Sequence, residues 1–479
     1  MVINMNEKYD LAVIGAGPGG YTAAIKAAKS GLKTVVIENR EVGGTCLNRG
    51  CIPTKTLMHT SHLYYEALSY EKLGINVTGL NYDIDKMQDR KEEVVDKIRD
   101  GIGALLKGNK VTVINGTATI LKQNTIRITE NTHQTAENAD VWEIQAEKIL
   151  IATGSKPFIP EIEGIHNLNV ITSDELLAKR GQRFEKLLIV GGGVIGIEFA
   201  TIYQELGCEV EIIEVMDRIL YNMDKEVSQS VAMNMKKRGI KIHTKSKVIR
   251  ITKEEGLNCE YEENGKTYTV KADVILVSAG RKANTENLFD SGFRLEMNGD
   301  KIKVDANFET SVKGIYAIGD VTGGTQLAHA AAAQGITAVE IMCNLTPTIN
   351  LNVIPSCIYT SPEVAVAGLN EEAAKANGYT VKTGKYPMAG NAKTLLSMDE
   401  RSYIKVISDS KSDRILGAEL VCARATDMIG ELAAAIANGL TVKEMASVIR
   451  PHPTYNEAIT EVMEDIEGMA IHLMPGRKR

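Results

Sequence analysis

The sequence predicts an α/β protein: two Rossmann-like domains followed by a C-terminal α+β domain. Three observations carry this. Near the start of the chain an apolar strand runs into a glycine-rich turn and a helix. The same device returns further along, between Lys186 and Glu214. Beyond about residue 350 the pattern changes to alternating strands, such as Tyr403 to Ile407, with a helix over 427–438.

In the first copy, Tyr9-Asp10-Leu11-Ala12-Val13-Ile14 reads as a buried strand, followed by Gly15-Ala16-Gly17-Pro18-Gly19-Gly20. Tyr21, Ala24, Ile25 and Ala28 recur at helical spacing, and a second strand from Lys33 to Ile37 ends at Glu38. Gly15, Gly17 and Gly20 satisfy G-x-G-x-x-G. One permits a tight turn, one lets backbone approach a pyrophosphate, and one allows close helix packing. The helix N-terminus offers amides and positive dipole to phosphates, and Glu38 stands where a carboxylate accepts hydrogen bonds from a ribose.

In the second copy, Leu187-Leu188-Ile189-Val190 leads into Gly191, Gly193 and Gly196. Ile195, Phe199, Ile202 and Leu206 form the helix stripe, and Glu214 closes the unit. Every key position is displaced by one and the same interval: Gly15 to Gly191, Gly17 to Gly193, Gly20 to Gly196, Glu38 to Glu214. A lone glycine pattern is a weak signal. Two in one register, each completed by an acid, point to two bound dinucleotides. Glu214 favours a free ribose 2′-hydroxyl and repels a 2′-phosphate, which selects NAD over NADP. Arg218, a little further on, is discounted as a phosphate partner because Glu214 holds the recognised position.

Shortly after the first device come Gly43-Gly44-Thr45, then Cys46-Leu47-Asn48-Arg49-Gly50-Cys51, then Ile52-Pro53-Thr54-Lys55. Two cysteines beside a bound redox cofactor can pass two electrons to or from an outside disulfide. A zinc site recruiting His59 and His62 is the weaker alternative, and no metal is expected. A structural disulfide is also weak, since nothing marks a secreted protein. Cys208, Cys259, Cys343, Cys357 and Cys422 lie in apolar context and read as buried thiols.

Bulk features set limits. The 479 residues, 44% of them hydrophobic, with 42 glycines, suit a large α/β protein. With 61 acids against 55 bases the net charge is -6, so nucleic-acid binding is not expected. The basic tail Arg477-Lys478-Arg479 is too short to argue a polyanion contact. No apolar run reaches the ~18 residues of a membrane span. The first strand begins near Tyr9, leaving no room for a leader peptide, and the expected compartment is the cytoplasm.

The Gly43–Lys55 stretch resembles the redox-active disulfide of the flavoprotein pyridine nucleotide-disulfide oxidoreductases, most of all the dihydrolipoamide dehydrogenase branch. That resemblance implies FAD in the first unit and exchangeable NAD in the second. Ala152-Thr153-Gly154 resembles the close of the first FAD segment, Ser278-Ala279-Gly280-Arg281 that of the NAD domain, and Gly314 to Asp320 the second FAD contact. The implied boundaries are 1–155 and 279–350 for FAD, 156–278 for NAD and 351–479 for a dimer-interface domain. Cofactor contacts are expected from Gly44, Thr45, Thr153, Gly154, Gly280 and Asp320. Lys55 is expected against the flavin's reactive nitrogen, paired with Glu198.

Arg450-Pro451-His452-Pro453-Thr454-Tyr455-Asn456-Glu457 resembles the family's His-Pro-Thr segment. The resemblance makes His452, oriented by Glu457, the acid–base group, and implies a homodimer in which it reaches the disulfide of the other subunit. Cys46 is expected to exchange with the substrate sulfur and Cys51 to lie nearer the flavin. Three features favour the lipoamide branch. Glu214 argues against the NADP preference of glutathione reductase. Ile358 to Ala365 resembles the branch's interface-domain opening. No cysteine lies near the C-terminus, where mercuric reductase and high-molecular-weight thioredoxin reductase carry a redox pair.

The expected function is therefore oxidation of protein-bound dihydrolipoamide with reduction of NAD. No lipoyl domain precedes the first fingerprint, so the lipoyl group is expected from a partner of a 2-oxo acid dehydrogenase or glycine cleavage system. The alternatives are another NAD(P)H-dependent disulfide or metal-ion reductase, or a redox-sensing flavoprotein with little turnover. Two residues depart from the family pattern: Arg49, where many relatives have valine, and Arg450, where many have a second histidine.

Overall fold

The computed structural model describes residues 7–131, 140–181, 183–398 and 402–474; the basic tail at 477–479 lies outside them. The chain divides into two compact units. One comprises 1–160, 171–183 and 279–351, the other 161–170, 184–278 and 352–479.

The first unit is organised by the strand Lys8–Ile14, which pairs in parallel with Thr34–Glu38 on one side and Val141–Ile151 on the other. Ile315–Ala317 extends the parallel sheet from Val141–Ile151. The long strands Thr112–Lys122 and Val141–Ile151 run on beyond it and meet Thr125–Glu130 as an antiparallel meander. Side chains alternate along the first strand. Leu11 and Val13 join the helix-side core with Ala23, Ala24 and Ala27, while Ala12 and Ile14 join the opposite core with Val35, Ile37 and Ile149. The buried positions of the Pro18–Lys29 helix are thus rotated from the predicted stripe: Tyr21, Ile25 and Ala28 are only partly buried. Small alanines fill that face because the Ala328–Met342 helix also packs on this one, and a Cβ on Gly335 would stand 2.6 Å from the carbonyl of Gly19.

In the second unit Lys186–Val190, Glu209–Glu214, Lys241–Thr244 and Val274–Val277 form a parallel sheet. The strands Ser246–Lys253, Leu257–Glu263 and Lys266–Ala272 form an antiparallel meander. The same unit holds a five-stranded antiparallel sheet, Ser356–Ile358, Val364–Gly368, Ile415–Val421, Tyr403–Asp409 and Val381–Pro387 in that spatial order. Helices Ala425–Ala437 and Glu457–Ile466 close one core over it, with Leu432, Ile459, Val462 and Met463 fully buried.

Candidate active site

Both glycine turns form where predicted, in one register. Leu11 pairs with Thr34 and Ile14 with Ile37; at the matching positions of the second copy, Leu187 pairs with Val210 and Val190 with Ile213. Gly15 and Gly191 carry φ of +100° and +110°, a backbone region that favours glycine. A Cβ on Gly20 would lie 1.9 Å from the Gly15 carbonyl oxygen, and one on Gly196 2.3 Å from that of Gly191. These close approaches let each helix start directly over its strand. Gly17 and Gly193 are the N-caps of the two helices, both in extended backbone.

The two acids are held alike. Glu38 accepts hydrogen bonds from the amides of Ala16 (2.7 Å) and Arg40 (2.9 Å). Glu214 accepts from Gly192 (2.6 Å) and Met216 (2.7 Å). Burial pushes the Glu38 carboxyl upward, against the pull of those two amides. Arg218 is engaged elsewhere: it donates to Asp217 (3.1 Å) and the Tyr221 carbonyl (3.0 Å) and lies over the Tyr221 ring.

The redox segment folds as two short-spaced helices, Gly44–Arg49 and Cys51–Ala67, broken at Gly50. The break brings the side chains of Cys46 and Cys51 into contact. Cys51 is exposed and Cys46 half-buried. The Cys51 contact, then burial, holds the Cys46 thiol high, and the cation of Lys55 works in the opposite direction. Lys55 lies one turn beyond Cys51 on the same helix.

Asn48 was not singled out by the sequence. Its carboxamide donates to the carbonyls of Val42 (3.0 Å) and Gly44 (2.9 Å) and accepts from Arg99 (2.9 Å) on the Ile84–Gly108 helix. It therefore pins the loop that presents Cys46. Arg49 forms an ion pair with Glu41.

Thr153, Gly154, Gly280 and Asp320 all fall in the first unit. Gly154 and Gly280 have φ of +69° and +124°, with open space where a Cβ would stand. Asp320 accepts from Ser155 (2.5 Å), and Ser155 in turn accepts from Arg281 (2.7 Å). This chain ties the antiparallel pair Ser155–Pro157 and Arg281–Ala283 to Asp320.

Elsewhere, in the second unit, His452 Nδ1 meets Glu457 Oε1 at 2.7 Å. The second oxygen of Glu457 accepts the Thr454 amide at 2.9 Å. Burial works to raise the Glu457 carboxyl, but the Thr454 amide and the His452 ring outweigh it and hold it below its usual range. Arg450, the departure from the family pattern, is a structural brace. Its guanidinium donates to the carbonyls of Met445 and Val448 (both 3.2 Å), to Thr460 (2.7 Å) and to Glu431 (2.5 Å). Glu431 also accepts from Asn456 (3.0 Å), so two helices grip the segment carrying His452 from both ends. Glu198 is buried and accepts the amide of Tyr359 at 3.2 Å.

The residues fit two dinucleotides. At the first turn the Thr153 hydroxyl is buried without a hydrogen-bond partner, an orphan that a ligand group can satisfy. At the second, a Cβ on Gly193 would meet only open space, leaving the backbone edge accessible.

Residues 9–335 match the profile described as pyridine nucleotide-disulphide oxidoreductase, and residues 354–463 match the dimerisation domain of the same name. The chain is 39% identical over 477 residues to a dihydrolipoyl dehydrogenase of Bacillus subtilis, covering 98% of this chain and 100% of that one. It is 38% identical to the mitochondrial dihydrolipoyl dehydrogenase of Sus scrofa, covering 94% and 89%. Among solved structures, LpdA of Mycobacterium tuberculosis superposes with a TM-score of 0.85 at 26% identity, covering 95% and 99%. The Cu(II) complex of RclA, an HOCl-induced flavoprotein disulfide reductase of Escherichia coli, gives 0.83 at 28%, covering 96% and 99%.

Proposed function

The chain belongs to the pyridine nucleotide-disulphide oxidoreductase family, and from that premise we propose that it is an NAD-dependent dihydrolipoyl dehydrogenase. The observation that carries this is the pair of matching dinucleotide units with a dithiol following only the first, in a chain 36–39% identical to bacterial dihydrolipoyl dehydrogenases along nearly its whole length. We assign 1–155 and 279–350 to FAD, 156–278 to NAD and 351–479 to the interface.

FAD, when bound, supplies the two-electron relay between the cysteine pair and NAD. The glycines at 15, 17 and 20, with Glu38, Gly44, Thr45, Thr153, Gly154 and Asp320, hold it; Gly280 is a further cofactor contact at the close of the NAD segment, and Lys55 and Glu198 supply a cation and its counter-charge. Gly191, Gly193, Gly196 and Glu214 hold NAD.

The dithiol step runs on this chain's own side chains. His452 of the partner subunit accepts a proton from one substrate thiol, with Glu457 fixing its ring and offsetting the charge it gains. The resulting thiolate attacks the Cys46 sulfur of the oxidised pair, the Cys46–Cys51 bond breaks, and Cys51 leaves as thiolate. The second substrate thiol then displaces Cys46, closing the lipoamide disulfide and leaving both enzyme sulfurs reduced. Overall, dihydrolipoamide and NAD+ give lipoamide, NADH and one proton.

A homodimer follows from the dimerisation-domain match, and Ile449, close before His452 in sequence, is an apolar side chain left 95% exposed in the single chain. The donor substrate is a lipoyl group carried by a partner of a 2-oxo acid dehydrogenase or glycine cleavage system, and the compartment is the cytoplasm. Among the described residues no helix is long and apolar enough to cross a membrane.

Steady-state assay of purified protein with dihydrolipoamide and NAD tests the reading. Turnover with NAD well above that with NADP is expected. A protein that ignores dihydrolipoamide but reduces Cu(II) with NADH would favour the metal-ion reading; the similar RclA structure is a Cu(II) complex.

A further inference from the structure

The Val194–Glu205 helix, which starts at the second glycine turn, carries two buried carboxylates on one face, Glu198 and Glu205. They lie about two turns apart, and both lead to one short stretch, Tyr359 to Pro362. Glu198 Oε1 accepts the Tyr359 amide at 3.2 Å. Glu205 Oε1 accepts from Arg238 Nη1 at 3.3 Å, and Arg238 Nη2 donates to Ser361 Oγ at 2.7 Å. Between these two holds, the buried Thr360 hydroxyl donates to the Pro362 carbonyl at 2.7 Å and closes the stretch on itself. Glu198 is the counter-charge of Lys55 in the proposed function; Arg238, Glu205 and Ser361 have no role in it.

We infer that Arg238 is a positioning residue for Glu198: by gripping Ser361 it fixes the Tyr359 amide on the Glu198 carboxylate, and thereby sets how strongly the flavin holds electrons. The inference rests on the reading of Lys55 and Glu198 as the charge pair beside the flavin.

Two helices place Arg238 for this. It caps the C-terminus of the Lys225–Lys237 helix, where its amide donates to the Asn234 and Met235 carbonyls (both 3.1 Å). Its side chain is buried together with that of Glu205, so the ion pair holds the planar guanidinium fork with its second nitrogen on Ser361. A small cavity lined by Arg238, Thr360 and Ser361 gives the stretch room to shift once the grip is lost. When Ser361 moves, Tyr359 moves with it, because the Thr360 turn ties them. A displaced amide leaves the Glu198 carboxylate less firmly placed, and it then offsets the Lys55 cation less well. A cation less offset favours the anionic, reduced flavin. Loosening Arg238 therefore acts in the same direction as removing the Glu198 charge, and by less.

The test uses full-length, FAD-loaded protein carrying Cys46→Ser, so that the flavin alone exchanges electrons. Anaerobic equilibration with a reference redox dye, both followed by absorbance, reads the flavin's reduction equilibrium. Glu198→Gln is expected to shift it toward reduced flavin by about tenfold. Ser361→Ala removes the grip but keeps the Arg238–Glu205 pair, and should shift it the same way by roughly two- to fivefold. Ser361→Thr keeps a hydroxyl and should stay at the unmodified value. Arg238→Met should shift it at least as far as Ser361→Ala. It also leaves buried Glu205 without that cation, so Ser361→Ala carries the test if the Met variant does not fold. In the Glu198→Gln background neither substitution should add a shift. No shift in Ser361→Ala, a shift of opposite sign, or one that persists at full size in the Glu198→Gln background would overturn the inference. If Glu198→Gln itself moves nothing, the placement of Glu198 beside the flavin fails and the inference with it. If Glu198→Gln shifts the equilibrium while Ser361→Ala does not, only the role of Arg238 falls.

Discussion

The unit at Lys8–Glu38 and its counterpart at Lys186–Glu214 agree in register, in turn geometry and in how each acid is held, but different segments cover their glycine turns. Over the first, the amide of Gly43 donates to the Ala16 carbonyl at 2.8 Å. Gly44 there approaches so closely that a Cβ on it would stand 2.6 Å from the Cα of Gly17. Over the second, the amide of Leu220 donates to Gly192 at 2.8 Å and the Ile219 side chain covers Gly192, while Gly193 stays exposed. One fold thus builds the same dinucleotide turn twice. The segment after the acid differs: a redox helix packs on the first turn, where Gly17 stays half-exposed, and a plain turn leaves Gly193 of the second exposed. A more covered turn suits a resident cofactor and an open edge an exchangeable one.

The largest expected effect breaks the two turns separately. Gly20→Ala forces the Gly15 carbonyl aside and should give colourless protein without FAD or activity. Gly196→Ala, the same lesion at the matching position of the second copy, should stay yellow yet no longer accept electrons from NADH. Absorbance spectra and NADH titration read both, and FAD loss in the second variant would invert the assignment of the units.

Next comes His452, the proposed acid–base group. His452→Gln should slow the dithiol half-reaction by roughly 10²–10⁴ and leave flavin reduction by NADH largely intact. Inactive Cys46→Ser and His452→Gln dimers, mixed, dissociated and reassociated, should recover activity, since each heterodimer gains one intact site. Heterodimers confirmed by mass but still inactive would rule out shared sites.

A smaller effect sharpens the second unit alone. Glu214→Ala removes a charged acceptor, which should weaken NADH binding by about 1.5–3 kcal/mol, roughly 10–150-fold in Kd. It should also relax discrimination against NADPH. Unmodified protein that prefers NADPH would contradict the role of Glu214.

Much of this was legible in the sequence because it is local. A backbone turn in the left-handed region and a helix start pressed against a carbonyl both demand glycine, and the acids follow at fixed distance. What stayed hidden depends on chain that meets only in the fold. Asn48 takes its brace from Arg99, on the Ile84–Gly108 helix, and Arg450 its anchor from Glu431, on the preceding long helix; neither leaves a periodic trace. The buried face of the Pro18–Lys29 helix was misplaced for the same reason, since the Ala328–Met342 helix that covers it is remote in sequence, beyond the whole second dinucleotide unit. Arg450 looked like a departure in the chemistry, and the fold makes it a brace.

The most direct test of the proposal that the first unit holds FAD with the cysteine pair and the second holds NAD is anaerobic stopped-flow on Cys46→Ser protein, mixed separately with NADH and with dihydrolipoamide. NADH should bleach the flavin, because hydride enters through the second unit without the sulfurs. Dihydrolipoamide should leave it oxidised, whereas unmodified protein responds to both. Flavin in the variant that dihydrolipoamide still reduces, or that NADH no longer reaches, would contradict the account.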